Sequence, residues 1–284
     1  MAEQDTSLKT RIERFFAAGP AVVNDSGAMH TFMELRDALE EGKIRAAEPD
    51  AGSPFGWRVN AWVKQGILLG FRLGVMREMG GEEFGFIDKH TYPMRHFAVD
   101  DGVRLVPGGS SVRAGAHLAK GVVCMPPMYV NVGAYVDEGT MVDSHALVGS
   151  CAQIGKRVHL SAAAQVGGVL EPVNASPVIL EDDVLVGGNC GVYEGTVVRK
   201  KAVLAAGTIL TRGTPVYDVV NGEVLRATAD KPLVIPEGAV VVPGSRSIAK
   251  GKGAQWDLNV YTPVIVKYRD EKTELSLVLE DLLR

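Results

Sequence analysis

Asp137 and Asp143 are carboxylates at one shared position of a repeated pattern, where each could serve as a general base or be a solvated strand-edge carboxylate. Each directly follows a valine, Val136 or Val142, in the run VNVGAYVDEGTMVD. A carboxylate held in one geometry can take a proton from an attacking nucleophile, and their shared position does not choose between the two. Arg104, in VRLVP, offers a planar guanidinium that can hold a carboxylate by two parallel hydrogen bonds. An ordinary surface arginine would look the same in sequence. His117, His145 and His159 lie 28 and 14 residues apart, which is not a zinc-ligand spacing, and no metal is expected. Cys124, Cys151 and Cys190 are an odd set without a CxxC pair and read as reduced thiols of a cytoplasmic protein. No convincing nucleophile motif accompanies them.

Positioning these groups requires a scaffold, and the chain declares one. Between Val106 and Leu210 every sixth residue is aliphatic or, once, cysteine. The first run is Val106, Val112, Leu118, Cys124, Val130, Val136, Val142, Val148, Ile154, Leu160 and Val166; after a shift in phase come Leu180, Val186, Val192, Val198, Leu204 and Leu210. With 46% apolar residues in the chain, such a series should arise by chance about twice per million phase choices. Two residues before most of these sites the side chain is small, as at Ala134, Thr140, Ala146 and Ala152. Three residues after them stand turn formers such as Gly133, Gly139, Asp183 and Asn189. A spacing of two places both side chains on one face of a strand, and the turn formers tolerate positive φ at a corner. The reading is a narrow prism of short strands, in which Asp137 and Asp143 point outward beside corners. On the same phase His117 and His159 face solvent, His145 occupies a corner, and Cys124 and Cys190 point inward as small hydrophobes.

The organisation around the prism is less regular. Residues 1–100 read as a helical N-terminal domain: Leu8, Ile12, Phe15 and Phe16 have helical spacing, Phe32, Leu35 and Leu39 follow Thr31 as a plausible cap, and Asn60–Leu73 forms a third segment. Gly42–Trp57 reads as connection. The β-helix is placed at 101–245. A loop excursion at 167–177 must leave outward because the stacked coils continue above and below it. A hairpin insertion near 213–232 is marked by Asn221-Gly222, with the phase resuming at Val234 and Val240. Residues 246–284 form a C-terminal region with a strand at Thr262–Tyr268 and a short helix at Thr273–Leu283. A net charge of −4 gives no general basic signature for nucleic acid. The start MAEQDTSLKT is unlike a signal peptide, and no apolar run approaches a membrane span.

The hexad pattern resembles the hexapeptide-repeat acyltransferases, which implies a mainly β fold: a left-handed parallel β-helix with about eighteen residues per coil and roughly five to six coils. The segments VNVGAYVDEGTMVDSHALVGSCAQIG (130–155), GGVLEP (167–172) and FRLG (71–74), with the helical first hundred residues, resemble the 2,3,4,5-tetrahydropyridine-2,6-dicarboxylate N-succinyltransferases. That resemblance implies transfer of succinyl from succinyl-CoA, as co-substrate, to the amine of ring-opened tetrahydrodipicolinate in lysine and diaminopimelate biosynthesis. It implies direct attack without an acyl-enzyme, and a homotrimer with sites between subunits. It also places the catalytic aspartate on Asp143 and the substrate-binding arginine on Arg104, with Arg113 and Arg72 as weaker candidates for a second carboxylate. A second catalytic glutamate of the family falls on Gly191 here; Glu194 is the nearest carboxylate, and Glu171 is another substitute. Gly188 and Ala206, eighteen apart, suit the close approach of a thioester arm, and Lys250 and Lys252 suit the phosphates of coenzyme A. Rival readings are an N-acetyltransferase on the same or a sugar-nucleotide acceptor, a zinc carbonic anhydrase built on the same repeat, and a non-catalytic β-helix scaffold.

Overall fold

The computed structural model describes residues 7–80 and 85–269. Its centre is a three-sided parallel β-helix in which two-residue strands stack in register every coil. Face I stacks Arg104–Leu105, Val123–Cys124, Met141–Val142, His159–Leu160, Leu185–Val186 and Val203–Leu204. Face II stacks Ser111–Val112, Tyr129–Val130, Leu147–Val148, Gln165–Val166, Gly191–Val192 and Ile209–Leu210. Face III stacks His117–Leu118, Tyr135–Val136, Gln153–Ile154, Ile179–Leu180, Val197–Val198 and Val234–Ile235. The chain runs I, II, III and begins again, so each residue that follows a strand occupies a named corner.

The second residue of each strand takes the inward register, and Val142, Val148, Ile154, Leu160 and Val186 are wholly buried; in the first coil Leu105, not the expected Val106, pairs with Cys124, and at the open end of the prism it is exposed. The corners carry the expected positive φ, at glycines such as Gly133 and Gly139 but also at His145, Cys151, Asp183, Asn189 and Glu194. Where a small inward slot is polar the backbone satisfies it: the Thr140 hydroxyl donates to Gly155 O at 2.8 Å and accepts from Val158 N at 3.0 Å. That pairing removes the cost of a buried hydroxyl in an otherwise apolar interior.

Three helices, α1 (Leu8–Ala17), α2 (Ser26–Glu40) and α3 (Ala61–Leu73), form the N-terminal layer. Ile12, Phe15, Phe32, Leu35, Ile67 and Leu69 pack there together with Val132 and Cys151 from the corner between faces II and III. Thr31 is not the cap of α2; it lies buried inside the helix, and Asp25 caps it by accepting from Gly27 N at 2.9 Å. The helix starts earlier because a true N-cap was available six residues upstream. The stretch read as connection pairs Ala47–Pro49 with Trp57–Val59, and this ribbon lays Ala47 and Trp57 on Ile179 and Val197 of face III.

After Leu210 the prism resumes one residue later than expected. Val198 pairs with Ile235 and Leu204 with Val241, so Ile235 and Val241 are the inward residues rather than Val234 and Val240. The insertion contains a short hairpin, Val216–Asp218 with Glu223–Leu225, turning at Gly222. A long strand, Ala239–Ser247, continues face I across residue 245 and pairs antiparallel with Asn259–Tyr268. The helix expected at Thr273–Leu283 lies outside the described residues.

Candidate active site

Both interruptions of the repeat leave from the same corner. The chain departs after Gln165–Val166 and again after Ile209–Leu210, both on face II, and each time it returns on face III. A single coil separates them, and its II/III corner is Tyr193–Glu194. The two excursions, with Phe55 and Val59 of the N-terminal ribbon, enclose a cavity of about 860 Å³. Gly167, Gly168, Glu171, Tyr193, Glu194, Arg212 and Lys231 are among its lining residues.

The first excursion is rooted by close backbone contact. A Cβ added to Gly149 would lie 2.1 Å from Gly168 N, and one added to Gly168 would lie 2.6 Å from Ser150 N. Its far end is held by Lys64 of α3, wholly buried, whose ammonium donates to Ala175 O at 2.6 Å. Burial lowers the pKa of that amine. Because backbone cannot rotate away, Gly149→Ala is expected to cost about 1–3 kcal/mol in denaturant melts and to lower turnover with it. An unchanged midpoint together with unchanged turnover would show that the root of the loop slides freely.

Asp143 lies elsewhere. It follows Val142 at the corner between faces I and II, half-buried and outward, where its carboxylate accepts from Ser144 N at 2.7 Å. Stacked on it along the same corner are Ser161, Gly187 and Ala205, linked by backbone bonds Asp143 N to Leu160 O, Ser161 N to Val186 O and Gly187 N to Leu204 O. Gly188 and Ala206 sit one residue further on adjacent coils, as their eighteen-residue spacing predicts, with Gly207 N donating to Gly188 O at 2.9 Å. The structure thus brings Asp143, Gly188 and Ala206 onto one corner. Lys250 is exposed at the tip of the hairpin that continues face I, as the N-cap residue of α4 (Gly251–Gln255). Arg104 is exposed in the outward column Arg104, Val123, Met141 of face I, about 10 Å along the stack from Met141. Among the described residues its guanidinium has no ion-pair partner.

Other candidates are occupied. Glu194 is at the II/III corner with φ 53°, and its carboxylate accepts from Arg212 N at 2.8 Å, so within one chain face II separates it from Asp143. Asp137 is at the corner after face III and accepts from Glu138 N at 2.8 Å. Arg113 is paired with Asp88 and lies against Phe71 and Tyr92, while Arg72 donates to Phe16 O and Gly19 O. Both hold the N-terminal layer together.

His117 points out of the prism but not into solvent: its Nδ1 lies 2.8 Å from Glu40 O of α2 and its ring stacks on Tyr135. Burial depresses its pKa. Burial also pushes the thiols of Cys124 and Cys151 up to about 12, which suppresses the nucleophilic thiolate. Among the described residues no three His, Cys, Asp or Glu side chains converge as a metal site. No described helix is long and apolar enough to cross a membrane.

The stacked hexad prism is that of the hexapeptide-repeat proteins, a left-handed parallel β-helix, and its sequence matches place it in the acyltransferase class. A family profile described as tetrahydrodipicolinate N-succinyltransferase N-terminal matches residues 7–73, and one described as hexapeptide repeat of succinyl-transferase matches residues 177–212. The chain is 42% identical to the 2,3,4,5-tetrahydropyridine-2,6-dicarboxylate N-succinyltransferase of Aromatoleum aromaticum, covering 99% of this chain and 96% of that protein. It is 41% identical to the enzyme of the same name from Legionella pneumophila, covering 98% of each. The chain belongs to the 2,3,4,5-tetrahydropyridine-2,6-dicarboxylate N-succinyltransferase family.

Proposed function

We propose that this enzyme moves succinyl from succinyl-CoA to the amine of ring-opened tetrahydrodipicolinate, in lysine and diaminopimelate biosynthesis. The observation that carries the reading is the I/II corner: one outward carboxylate, Asp143, heads a strip of small residues, Ser161, Gly187–Gly188 and Ala205–Ala206. Small side chains leave backbone amides open to a pantetheine arm, and Lys250 on the hairpin beyond suits the phosphates. Asp143 takes the proton from the amine as nitrogen attacks the thioester carbon. Arg104 holds a carboxylate of the acceptor. With the thiols buried, the transfer is direct and no acyl-enzyme forms.

The cavity and Glu194 lie across face II from Asp143, so the full set of groups assembles where one copy's I/II corner meets another's II/III corner. A closed cyclic trimer does this three times over. The cytoplasm supplies both substrates in this scheme. Steady-state turnover with succinyl-CoA and acetyl-CoA side by side tests the reading. Succinyl-CoA is expected to have the higher kcat/KM by about tenfold or more, the scale on which one added charged group is discriminated. A preference for acetyl-CoA would refute it, and an absence of all acyl turnover would make the prism a scaffold.

A further inference from the structure

The cavity at the II/III corner is lined by a residue that this scheme leaves idle, Tyr193. Gly191 and Tyr193 are the outward residues on either side of inward Val192, and the tyrosine ring folds back along the strand over the glycine. A Cβ at residue 191 would lie 2.3 Å from Cε2 of Tyr193, and 2.9 Å from both its Cζ and its Oη. A Cβ at Gly167, one coil away, would lie 2.7 Å from Cδ1 of the same ring. The phenol therefore rests on two residues that have no side chains. Its Cε2 edge stands where the side chain of residue 191 would begin, with the hydroxyl beside it. Tyr193 lines the cavity together with Glu194, Glu171, Arg212 and Lys231, and among the described residues its hydroxyl has no hydrogen-bond partner.

We propose that Tyr193 is a further catalytic residue, whose hydroxyl donates a hydrogen bond to the thioester carbonyl oxygen during acyl transfer. The inference rests on the acyl-transfer reading above and assigns a group to the charge that develops there. Nitrogen of the acceptor forms a bond to the acyl carbon, and the carbonyl π pair moves onto oxygen. The Tyr193 O–H donates to that oxyanion and keeps its proton. The pair then returns, the C–S bond breaks, and the thiolate takes the proton that the base removed from nitrogen. Arg212 and Lys231 bring positive charge to the same cavity, which serves carboxylates; a neutral donor on a ring packed against backbone suits a carbonyl. A donor fixed before the charge appears needs no reorganisation as it forms.

Tyr193→Phe keeps the ring on its two glycines and removes only the hydroxyl. Its kcat is expected to fall about 10²-fold, with the KM of either substrate changed less than about threefold and the melting temperature unchanged. Gly191→Ala displaces the ring and should produce a similar loss, and the double variant should be no worse than either single one. If Gly191→Ala does not fold, Tyr193→Phe decides alone. Full kcat in Tyr193→Phe, or an effect on KM alone, overturns the proposal while leaving the succinyl reading intact. A parent enzyme that prefers acetyl-CoA, with kcat still lost in Tyr193→Phe, rejects the succinyl donor and keeps Tyr193. A parent without acyl turnover overturns both.

Discussion

Asp143→Asn is expected to lower kcat by about 10²–10⁴-fold, the range for loss of a positioned general base. The substitution is nearly isosteric, and an asparagine oxygen can still accept from Ser144 N, which now bonds the carboxylate at 2.7 Å. The corner therefore keeps its shape, and only the capacity to take a proton is lost. The melting temperature should stay within a few degrees of the parent, the margin usual for an outward polar exchange. Asp137→Asn is the control, because Asp137 has the same place in its hexad and the same local bond, to Glu138 N at 2.8 Å. It stands at the corner after face III, away from the strip of Gly188 and Ala206, and should retain parent turnover. Steady-state kinetics of the two variants settles the choice that position in the repeat leaves open. Full activity in Asp143→Asn removes it as the base, and an equal loss in Asp137→Asn would mean that both act through the scaffold.

Leu160→Ala should have the largest effect on stability, about 3–5 kcal/mol by denaturant unfolding. Leu160 is wholly buried and stacks in register between Val142 and Val186. Neighbouring coils are tied by backbone hydrogen bonds above and below, so the wall cannot collapse into the space left behind. Poor relaxation puts a core truncation at the upper end of its range. The same change sits beneath the Asp143 corner, since Val142 is its neighbour, and turnover should fall as well. A loss below about 1 kcal/mol would mean that the prism repacks, against the rigidity inferred from its register.

The inward and outward faces of the prism were legible because their cause is local. Alternation along a strand and a corner every six residues depend on neighbouring residues alone, so Leu160, Ile154 and Cys190 could be assigned to the interior from spacing. Asp143 could be placed beside a corner for the same reason, and Gly188 with Ala206 on adjacent coils. The phase slipped where an insertion of many residues intervened: the count across 211–233 arrived at Val234, whereas the stack selects Ile235 through its pairing with Val198. Thr31 reads as a cap in sequence because a helix interior and a helix start carry the same residue types, and its burial within the helical layer, beside Arg11 of α1, decides between them.

Sequence alone determined the repeat, the identity of the inward residues between Val112 and Leu210, the two interruptions and the family likeness. It could not say that both interruptions open at one corner, because that depends on summing whole coils modulo three faces around an axis. Nor could it say that His117 is covered by α2 or that Lys64 is buried against the first excursion, since docking of the helical layer is set by apolar burial between distant segments. The placement of Tyr193 over Gly191 belongs to the same class. A glycine two residues before a tyrosine is unremarkable in a string of letters, and only the fold shows one filling the space the other leaves.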